Sequence, residues 1–430
     1  MMESKAAAHT TGGEKIRSRS DRHFPVVLIT EANIAKVTGH LPFHARFALR
    51  QLTRLQNGAL TVHLPDGSSW RFVAPAEGPH GELDLHNWRL TRRALFGGSL
   101  GVAESYLDGD WSSPDVTKFL MLFLTNEQLY LDVATPNWFF NALQKLNHWY
   151  NENTYSGSRR NISAHYDLGN AFYAHWLDQT MTYSSALFDE SGTTLAEAQK
   201  AKYRSLARNA GIRAGQNVLE IGCGWGGFAE FAAKETGCKV TGLTISREQF
   251  EFARQRMFRE GLNEKVDIKF QDYRDETGKY DAIASIEMFE AVGERYWPVY
   301  FGKLHDCLKA GGRAGLQIIT IADASYGYYR SHPDFIQRYI FPGGMLPSPS
   351  IVSQLSQEAG LNTVAVKSFP KDYARTLAEW RDRFAAVWGE LRPLGFDERF
   401  KRMWEYYFHY CEAGFLSGNV DVRQIFYQRA

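Results

Sequence analysis

Cysteine is scarce in this chain: 430 residues contain only four, Cys223, Cys238, Cys307 and Cys411. They are scattered without the spacing of metal ligands, so the sequence predicts neither a disulfide framework nor a zinc site, and we expect no other metal. A reduced, cytoplasmic setting fits this cysteine usage best.

The sequence also lacks a surplus of charge and a long apolar run. Its net charge is +1, which argues against a nucleic-acid binder, because such proteins need excess basic residues to replace counterions. No apolar stretch approaches the roughly 18 residues of a membrane-spanning helix, and residues 1–33 lack the apolar core of a signal peptide. We therefore expect residues 1–33 to be a disordered lead, and any membrane contact to be peripheral, at the inner face of the membrane.

Residues 34–150 are interpreted as a smaller, lipid-associated mixed α/β domain with a connecting helix over residues 127–155. Its clearest element is a hairpin: Leu60, Val62 and Leu64 alternate with polar residues, a Pro-Asp-Gly turn follows, and Trp70 and Phe72 alternate on the return strand. One stretch combines basic and aromatic side chains, namely Trp88, Arg89, Arg92, Arg93 and Phe96. This stretch is either a docking face for anionic headgroups or an ordinary solvated helix face.

The pattern changes at about residue 195, where helical stretches alternate with short apolar runs. The runs have the length of strands: Asn217 to Ile221, Lys239 to Leu243, Val266 to Gln271, Ala282 to Ile286 and Arg313 to Ile321. Most are separated by enough residues for a crossover helix, which predicts a doubly wound, mostly parallel α/β sheet within residues 151–430. Ligands of such sheets bind at the carboxyl ends of the strands.

The first of these runs leads into a glycine-rich turn that spans Glu220 to Gly227. Glycines there permit a tight turn and let backbone N–H groups approach a ligand closely. The carboxylate two positions before the first glycine can meet a cationic amino-acid group, and the glycines are spaced more closely than in the dinucleotide fingerprint. The turn therefore predicts an S-adenosylmethionine site, with Glu220, Gly222, Gly224 and Gly226 as its residues.

Two further strand ends point to the same site. Thr244, Ile245 and Gln249 follow the second run, and hydroxyl and amide groups there could hold ribose hydroxyls. Asp272 and Tyr273 follow the third run; the carboxylate can accept from an adenine amino group and the ring can lie against the base. Three successive strand ends together predict one cofactor pocket.

Several segments carry a more specific pattern: His165 to Asn170, Met181 to Ser184, Leu243 to Ser246, Met288 to Gly293 and Tyr339 to Gly344. With the glycine-rich turn, they make the chain from Asn161 onward resemble the cyclopropane-fatty-acid synthases and the related mycolic-acid and fatty-acid methyltransferases. The resemblance implies a seven-stranded, Rossmann-like class I methyltransferase fold. It also implies a cofactor site lined by Tyr183, Ser184, Gly222, Gly224, Thr244, Ile245, Gln249 and Tyr273.

By the same resemblance, the substrate is the cis double bond of an unsaturated acyl chain on a membrane phospholipid. An alkene is a weak nucleophile, so the enzyme must align it with the sulfonium methyl and exclude water. Transfer leaves a carbocation, which aromatic faces can stabilise, and Tyr166 is one candidate. Loss of a proton from the added methyl would close a cyclopropane, whereas loss from a neighbouring carbon would give a methyl-branched or methylene product.

The family holds a bicarbonate ion as its base with a Cys, a Glu, a His, a backbone group near an Ile, and a Tyr. Glu290, Ile321 and Tyr373 match three of these groups. Ser185 replaces the Cys and Ile319 replaces the His, which argues against a complete bicarbonate site, although Ser185 can still donate a hydrogen bond. Glu290 becomes the acid–base candidate, and Glu287, expected to end a strand, is a second one.

Cys411 matches a cysteine once assigned a catalytic role in the family, although a thiol on an apolar helix is more often a packing residue. Two alternative functions remain open: the same fold acting on a different lipid or small-molecule acceptor, and a non-catalytic lipid-binding relative. Gly222, Gly224, Gln249 and Glu290 argue against the second alternative. The sequence leaves a homodimer open.

Overall fold

The computed structural model describes residues 26–126, 168–188 and 193–430. Their strands form two sheets, one of five strands near the N-terminus and one of seven strands in the remainder. The predicted connecting helix over residues 127–155 and the candidate Tyr166 lie outside the described residues.

The N-terminal domain is a mixed sheet with four helices. Its elements are β1 (Val26–Ile29), α1 (Ile34–Thr38), α2 (Phe43–Leu52), β2 (Asn57–His63), β3 (Ser69–Val73), β4 (Ala76–Leu85), α3 (Arg89–Leu107), β5 (Trp111–Ser112) and α4 (Val116–Leu124). The strand order is β1-β3-β2-β4-β5. The predicted hairpin is confirmed, because Leu60 lies opposite Phe72 and Val62 opposite Trp70 in antiparallel register.

The N-terminal domain starts earlier than the sequence predicted. Four consecutive apolar residues form β1, which pairs in parallel with β3 from Val26 opposite Ser69 to Ile29 opposite Phe72. The prediction of a disordered lead up to residue 33 is therefore wrong for residues 26–33, because an apolar run of strand length supplies one edge of the sheet.

The C-terminal domain is built on the seven-stranded sheet. Its strands are β6 (Asn217–Ile221), β7 (Lys239–Thr244), β8 (Val266–Phe270), β9 (Tyr280–Ile286), β10 (Leu308–Ile321), β11 (Leu361–Ser368) and β12 (Val420–Arg429). The order is β11-β12-β10-β9-β6-β7-β8, and β12 runs antiparallel to both its neighbours. The five predicted apolar runs all form strands, and the doubly wound, mostly parallel sheet is confirmed.

Helices cover the faces and one end of this sheet. They are α5 (Gly169–Trp176), α6 (Leu195–Asn209), α7 (Gly227–Glu235), α8 (Arg247–Arg259), α9 (Trp297–Cys307), α10 (Asp323–Ser331), α11 (Pro349–Glu358), α12 (Pro370–Ala386), α13 (Trp388–Leu391) and α14 (Glu398–Ser417). Polar caps fix several of their starts: Thr194 and Glu197 form a capping box before α6, and the Ser246 side chain accepts the Gln249 N–H in the first turn of α8.

The two domains share a hydrophobic core, in which α3 and α4 of the N-terminal domain pack against α14. Arg402 of α14 donates to the carbonyl oxygens of Tyr106 (2.5 Å) and Trp111 (2.8 Å). The Tyr339 hydroxyl donates to Glu104 Oε1 at 2.7 Å. These hydrogen bonds join the N-terminal domain to α14 and to the segment that contains Tyr339. No helix in the described part of the chain is both long and apolar enough to cross a bilayer.

Candidate active site

A cavity of about 390 Å³ opens where the parallel strands β6 to β9 end. Ten of the eleven residues that the sequence predicts as cofactor contacts line it: Tyr183, Ser184, Glu220, Gly222, Gly224, Thr244, Ile245, Gln249, Asp272 and Tyr273. Leu124, at the end of α4, lines it too, so both domains contribute to its wall. The parallel topology explains the convergence, because the loops that follow these strands meet at one edge of the sheet.

The glycine-rich turn follows β6 in a backbone conformation that favours glycine. Gly222 has φ 81° and Gly224 has φ 52°, both in the left-handed region. The N–H of Gly222 donates to the Leu243 carbonyl (3.0 Å), which ties the turn to β7. A Cβ on Gly224 would meet no atom within 4 Å, so the turn presents bare backbone at the cavity.

Gly226 is the one predicted cofactor residue outside the cavity lining. It precedes α7 with φ 81°, and a Cβ there would lie 3.2 Å from both the Ala253 and Met257 side chains of α8. A glycine at this position allows α7 to pack closely on α8. The neighbouring Gly227 lines the cavity instead.

Glu220 presents a buried carboxyl to the cavity. The residue is 3% exposed, and its Oε2 has no hydrogen-bond partner within the described parts of the chain. Burial raises the pKa of this carboxyl well above its ordinary range. A buried acidic group without a partner is costly, and a cationic amino group in the cavity would supply one. The residue thus fits the α-amino group of S-adenosylmethionine.

The next two strand ends carry polar groups whose orientation is already fixed. The Thr244 hydroxyl donates to Gln249 Oε1 at 3.0 Å, and both residues are buried. Asp272 is buried as well, and the guanidinium of Arg274 donates to its two oxygens at 2.9 and 2.7 Å. An adenine amino group would therefore share the Asp272 carboxylate with Arg274.

Tyr183 and Ser184 line the cavity from the loop that follows α5. The Tyr183 hydroxyl donates to that of Tyr407 at 3.0 Å. The Lys202 ammonium donates to Ser184 Oγ at 2.6 Å and is fully buried. Burial lowers the pKa of Lys202 to about 7 against the opposing pull of Glu287.

Two carboxyls stand side by side after β9. Glu290 Oε1 accepts the Ile319 N–H at 2.5 Å, and its buried Oε2 has no partner among the described residues. Burial, reinforced by the neighbouring Glu287, raises the pKa of Glu290 to about 8. Glu290 is consequently protonated for the most part near neutral pH, which suits an acid or a hydrogen-bond donor better than a base.

Glu287 is the more heavily bonded carboxyl of the pair. Its Oε1 accepts the Ser185 N–H (2.9 Å) and the Gln317 amide (2.7 Å), and its Oε2 accepts the Tyr373 hydroxyl (2.7 Å). Both Glu287 and Tyr373 line the cavity. The Ser185 hydroxyl instead donates to the Ala186 carbonyl at 2.9 Å, so Ser185 meets this carboxyl through its backbone and not through its side chain.

Comparison with known proteins identifies the family. The profile described as mycolic acid cyclopropane synthetase matches residues 154–425. The chain is 41% identical to tuberculostearic acid methyltransferase UfaA1 of Mycobacterium tuberculosis, over 78% of this chain and 80% of that protein. It is 35% identical to cyclopropane-fatty-acyl-phospholipid synthase of Escherichia coli, over 81% of this chain and 88% of that protein. The chain belongs to the mycolic acid cyclopropane synthetase family.

Solved structures agree with this assignment. Mycolic acid cyclopropane synthase CmaA1, complexed with SAH and CTAB, superposes with a TM-score of 0.59 at 30% identity, over 63% of this chain and 98% of that one. Cyclopropane synthase MmaA2 from Mycobacterium tuberculosis superposes with a TM-score of 0.60 at 28% identity, over the same shares. This member of the family has the class I methyltransferase fold with a separate N-terminal domain. It is an S-adenosylmethionine-dependent methyltransferase of the group that forms cyclopropane and methyl-branched lipids.

The sequence did not predict that Lys202 and Gln317 belong to this site, or that Glu287 lies at its centre. A lysine or glutamine inside an amphipathic helix or strand carries no signal of its own. Each is recognised only in the folded chain, where Lys202 donates to Ser184 and Gln317 donates to Glu287, two residues that line the cavity. Cys411 does line the cavity, but burial raises the pKa of its thiol far above the usual range, which keeps it protonated. A protonated thiol is a poor nucleophile or base.

Proposed function

We propose that the protein transfers the methyl group of S-adenosylmethionine to the cis double bond of an unsaturated phospholipid acyl chain. The product would be a cyclopropane or a methyl-branched or methylene acyl chain, formed through a carbocation. The observation that carries the proposal is the pairing of a cofactor turn with two adjacent carboxyls, Glu287 and Glu290, in one largely apolar cavity. The names of the relatives, a fatty-acyl-phospholipid synthase and a fatty-acid methyltransferase, support the lipid acceptor.

The walls of the cavity suit an alkene and the cation that it becomes. Tyr183, Phe341 and Tyr407 line it, with ring centroids 6.3 Å apart for the first two and 6.4 Å for the last two. Aromatic faces attract a cation by roughly 0.5 to 2 kcal/mol each without reacting with it. Apolar walls also exclude water, which would otherwise capture the cation.

S-adenosylmethionine supplies an electrophilic methyl group when bound. The chain would hold it through the bare backbone of the glycine-rich turn, through the polar side chains of Thr244 and Gln249, and through the Glu220 oxygen that has no partner among the described residues. Glu290, whose pKa of about 8 leaves it mostly neutral near pH 7, adds little negative charge to the cavity.

Access to a phospholipid requires contact with a bilayer, and the N-terminal domain is the favoured surface. Phe43 and Phe96 are 68% and 60% exposed. They stand on the neighbouring helices α2 and α3, which His44 Nδ1 and Thr91 Oγ1 join at 2.8 Å. Large exposed aromatic side chains on adjacent helices favour insertion among headgroups.

Two of the three arginines in the basic and aromatic stretch of α3 are paired with acidic residues, whereas Arg92 is exposed. Arg89 pairs with Asp110 at 2.5 Å, and Arg93 pairs with Asp108 at 2.7 Å. We therefore expect peripheral binding to depend on Phe43 and Phe96 more than on anionic lipid. Replacing both by serine should abolish co-flotation with unsaturated phospholipid vesicles and leave methyl transfer to detergent-dispersed lipid intact. Unchanged flotation would contradict this surface.

The test of the function is transfer of labelled methyl from S-adenosylmethionine to defined phospholipids. We expect label in the acyl chain of a lipid with a cis double bond and none in its saturated counterpart. Equal labelling of both lipids, or label in the headgroup alone, would overturn the proposal and favour a different acceptor.

A further inference from the structure

The backbone at Glu287 is unusual for its residue type. Glu287 follows β9 with φ 47°, and it is one of two non-glycine residues with positive φ among the described residues. Side chains other than glycine rarely adopt this region, and strain of this kind persists only where the surroundings enforce it, often at a functional site. The Glu287 N–H donates to the Gln317 carbonyl at 2.8 Å, so β10 holds the strained residue in place.

The three donors to the Glu287 carboxyl come from three separate parts of the fold. The Ser185 N–H belongs to the loop after α5, the Gln317 amide to β10 and the Tyr373 hydroxyl to α12. The amide of Gln317 is itself oriented, because its Oε1 accepts from Gln424 at 3.2 Å and its nitrogen is thereby turned toward Glu287. Donated hydrogen bonds favour the ionised form of a carboxyl, and three of them fix this one in place on the cavity wall.

A buried lysine on α6, Lys202, acts on this carboxyl. Burial raises the pKa of Glu287 above its ordinary value, and the attraction of Lys202 and the three donors oppose that rise. Burial also lowers the pKa of Lys202 itself to about 7. Glu290, three residues further on, has one donor in place of three, and its pKa of about 8 leaves it mostly protonated near neutral pH. Neighbouring carboxyls with different environments take different roles. Glu287 has more donors that favour its ionised form than Glu290 has, so of the two it is the better suited to accept a proton.

We propose that Glu287 is the general base of the reaction, a carboxylate built into the chain at the point where the resembling family binds a bicarbonate ion. This inference rests on the proposed function. The acyl cation loses a proton to a carboxylate oxygen of Glu287, and the electron pair of the broken C–H bond forms the new C–C bond of a ring or the π bond of an alkene. The proton transfer neutralises both the positive charge of the acyl chain and the negative charge of the Glu287 carboxylate. The acquired proton leaves to solvent after the product has dissociated.

The decisive variant is Glu287→Gln, which preserves shape and cannot accept the proton. We expect its turnover of cis-unsaturated phospholipid to fall by about 100-fold or more, in the range of general-base catalysis, while calorimetry gives S-adenosylmethionine affinity close to that of the wild type. The matched control is Glu290→Gln, in which a mostly protonated carboxyl is replaced and the loss should stay below about tenfold.

A second variant guards against a folding defect and tests the chemistry directly. Glu287→Gly relieves the positive φ and leaves a space lined by the three donors, so added formate or bicarbonate should restore turnover in a saturable manner. The wild type should show the same rate in carbon-dioxide-free buffer with and without added bicarbonate.

Three results would overturn the inference while leaving the function intact. These are a wild-type rate that depends on bicarbonate, turnover of Glu287→Gln within about threefold of the wild type, and a larger loss in Glu290→Gln than in Glu287→Gln. Absence of any wild-type product from unsaturated phospholipid would overturn the proposed function and the inference together.

Discussion

Replacement of Glu290 by glutamine should stabilise the protein in the absence of ligands, by an amount that depends on pH. The pKa of this carboxyl is 4.5 in an unperturbed chain and about 8 in the folded protein, so the folded state binds the proton more tightly. Between these pH values unfolding releases a proton, and the free energy of unfolding falls by about 1.4 kcal/mol for each pH unit gained.

The expected gain follows from this difference. Glutamine cannot ionise in the unfolded chain, and its amide can keep the hydrogen bond from the Ile319 N–H. We expect Glu290→Gln to exceed the wild type in free energy of unfolding by about 1 kcal/mol at pH 5.5 and about 3 kcal/mol at pH 7. Above pH 8 the gain should level off, because the carboxyl is then ionised in both states.

Urea denaturation of both proteins at pH 5.5, 6.5, 7.5 and 8.5 would measure this gain. Glu264→Gln, a change at an exposed residue, is the control and should show no growing difference. Equal stability of Glu290→Gln and wild type across the series would refute the claim that Glu290 is held in its neutral form, and with it the division of roles between Glu290 and Glu287.

Two further outcomes test the cofactor turn and the thiol. Gly222→Ala should weaken S-adenosylmethionine binding and lower the free energy of unfolding by about 1–3 kcal/mol, because φ is 81° and the new Cβ would lie 2.6 Å from Met288 Cγ. The control Gly215→Ala, with φ 78° and no atom within 4 Å of the new Cβ, should lower stability without loss of binding. Equal affinity losses in the two variants, measured by calorimetry, would contradict this role of Gly222. Cys411→Ala should keep turnover within about threefold, because its thiol stays protonated; a loss of about 100-fold in labelled-methyl transfer would assign the thiol a catalytic role.

The cofactor half of the site could be predicted from the sequence because its signals are local. A strand such as Asn217–Ile221 is a short apolar run, and the glycines and Glu220 follow it directly. Parallel strands bring their carboxyl ends together without further information. The prediction for Gly226 differs from the structure, because the sequence does not distinguish a glycine that faces a ligand from one that lets two helices pack closely.

The acid–base half depends on contacts between distant parts of the chain. Ser185 lies 102 residues from Glu287, and Tyr373 lies 86 residues from it. The sequence indicated that Ser185 and Ile319 depart from the family pattern, but the positive φ of Glu287 and its three donors are visible only in the folded chain. Likewise, β1 carries too short a pattern to be recognised until it pairs with β3.

Methyl transfer to the olefin is tested directly with S-adenosylmethionine that carries a trideuterated methyl group and a phospholipid with one cis double bond. We expect the acyl chain to gain one carbon. Two deuterons are retained if the proton leaves from the transferred methyl, and three if it leaves from the acyl chain. The product is then read by mass spectrometry and by the high-field proton resonances of a cyclopropane. Deuterium in the headgroup, or equal incorporation into a saturated acyl chain, would contradict methyl transfer to an olefin.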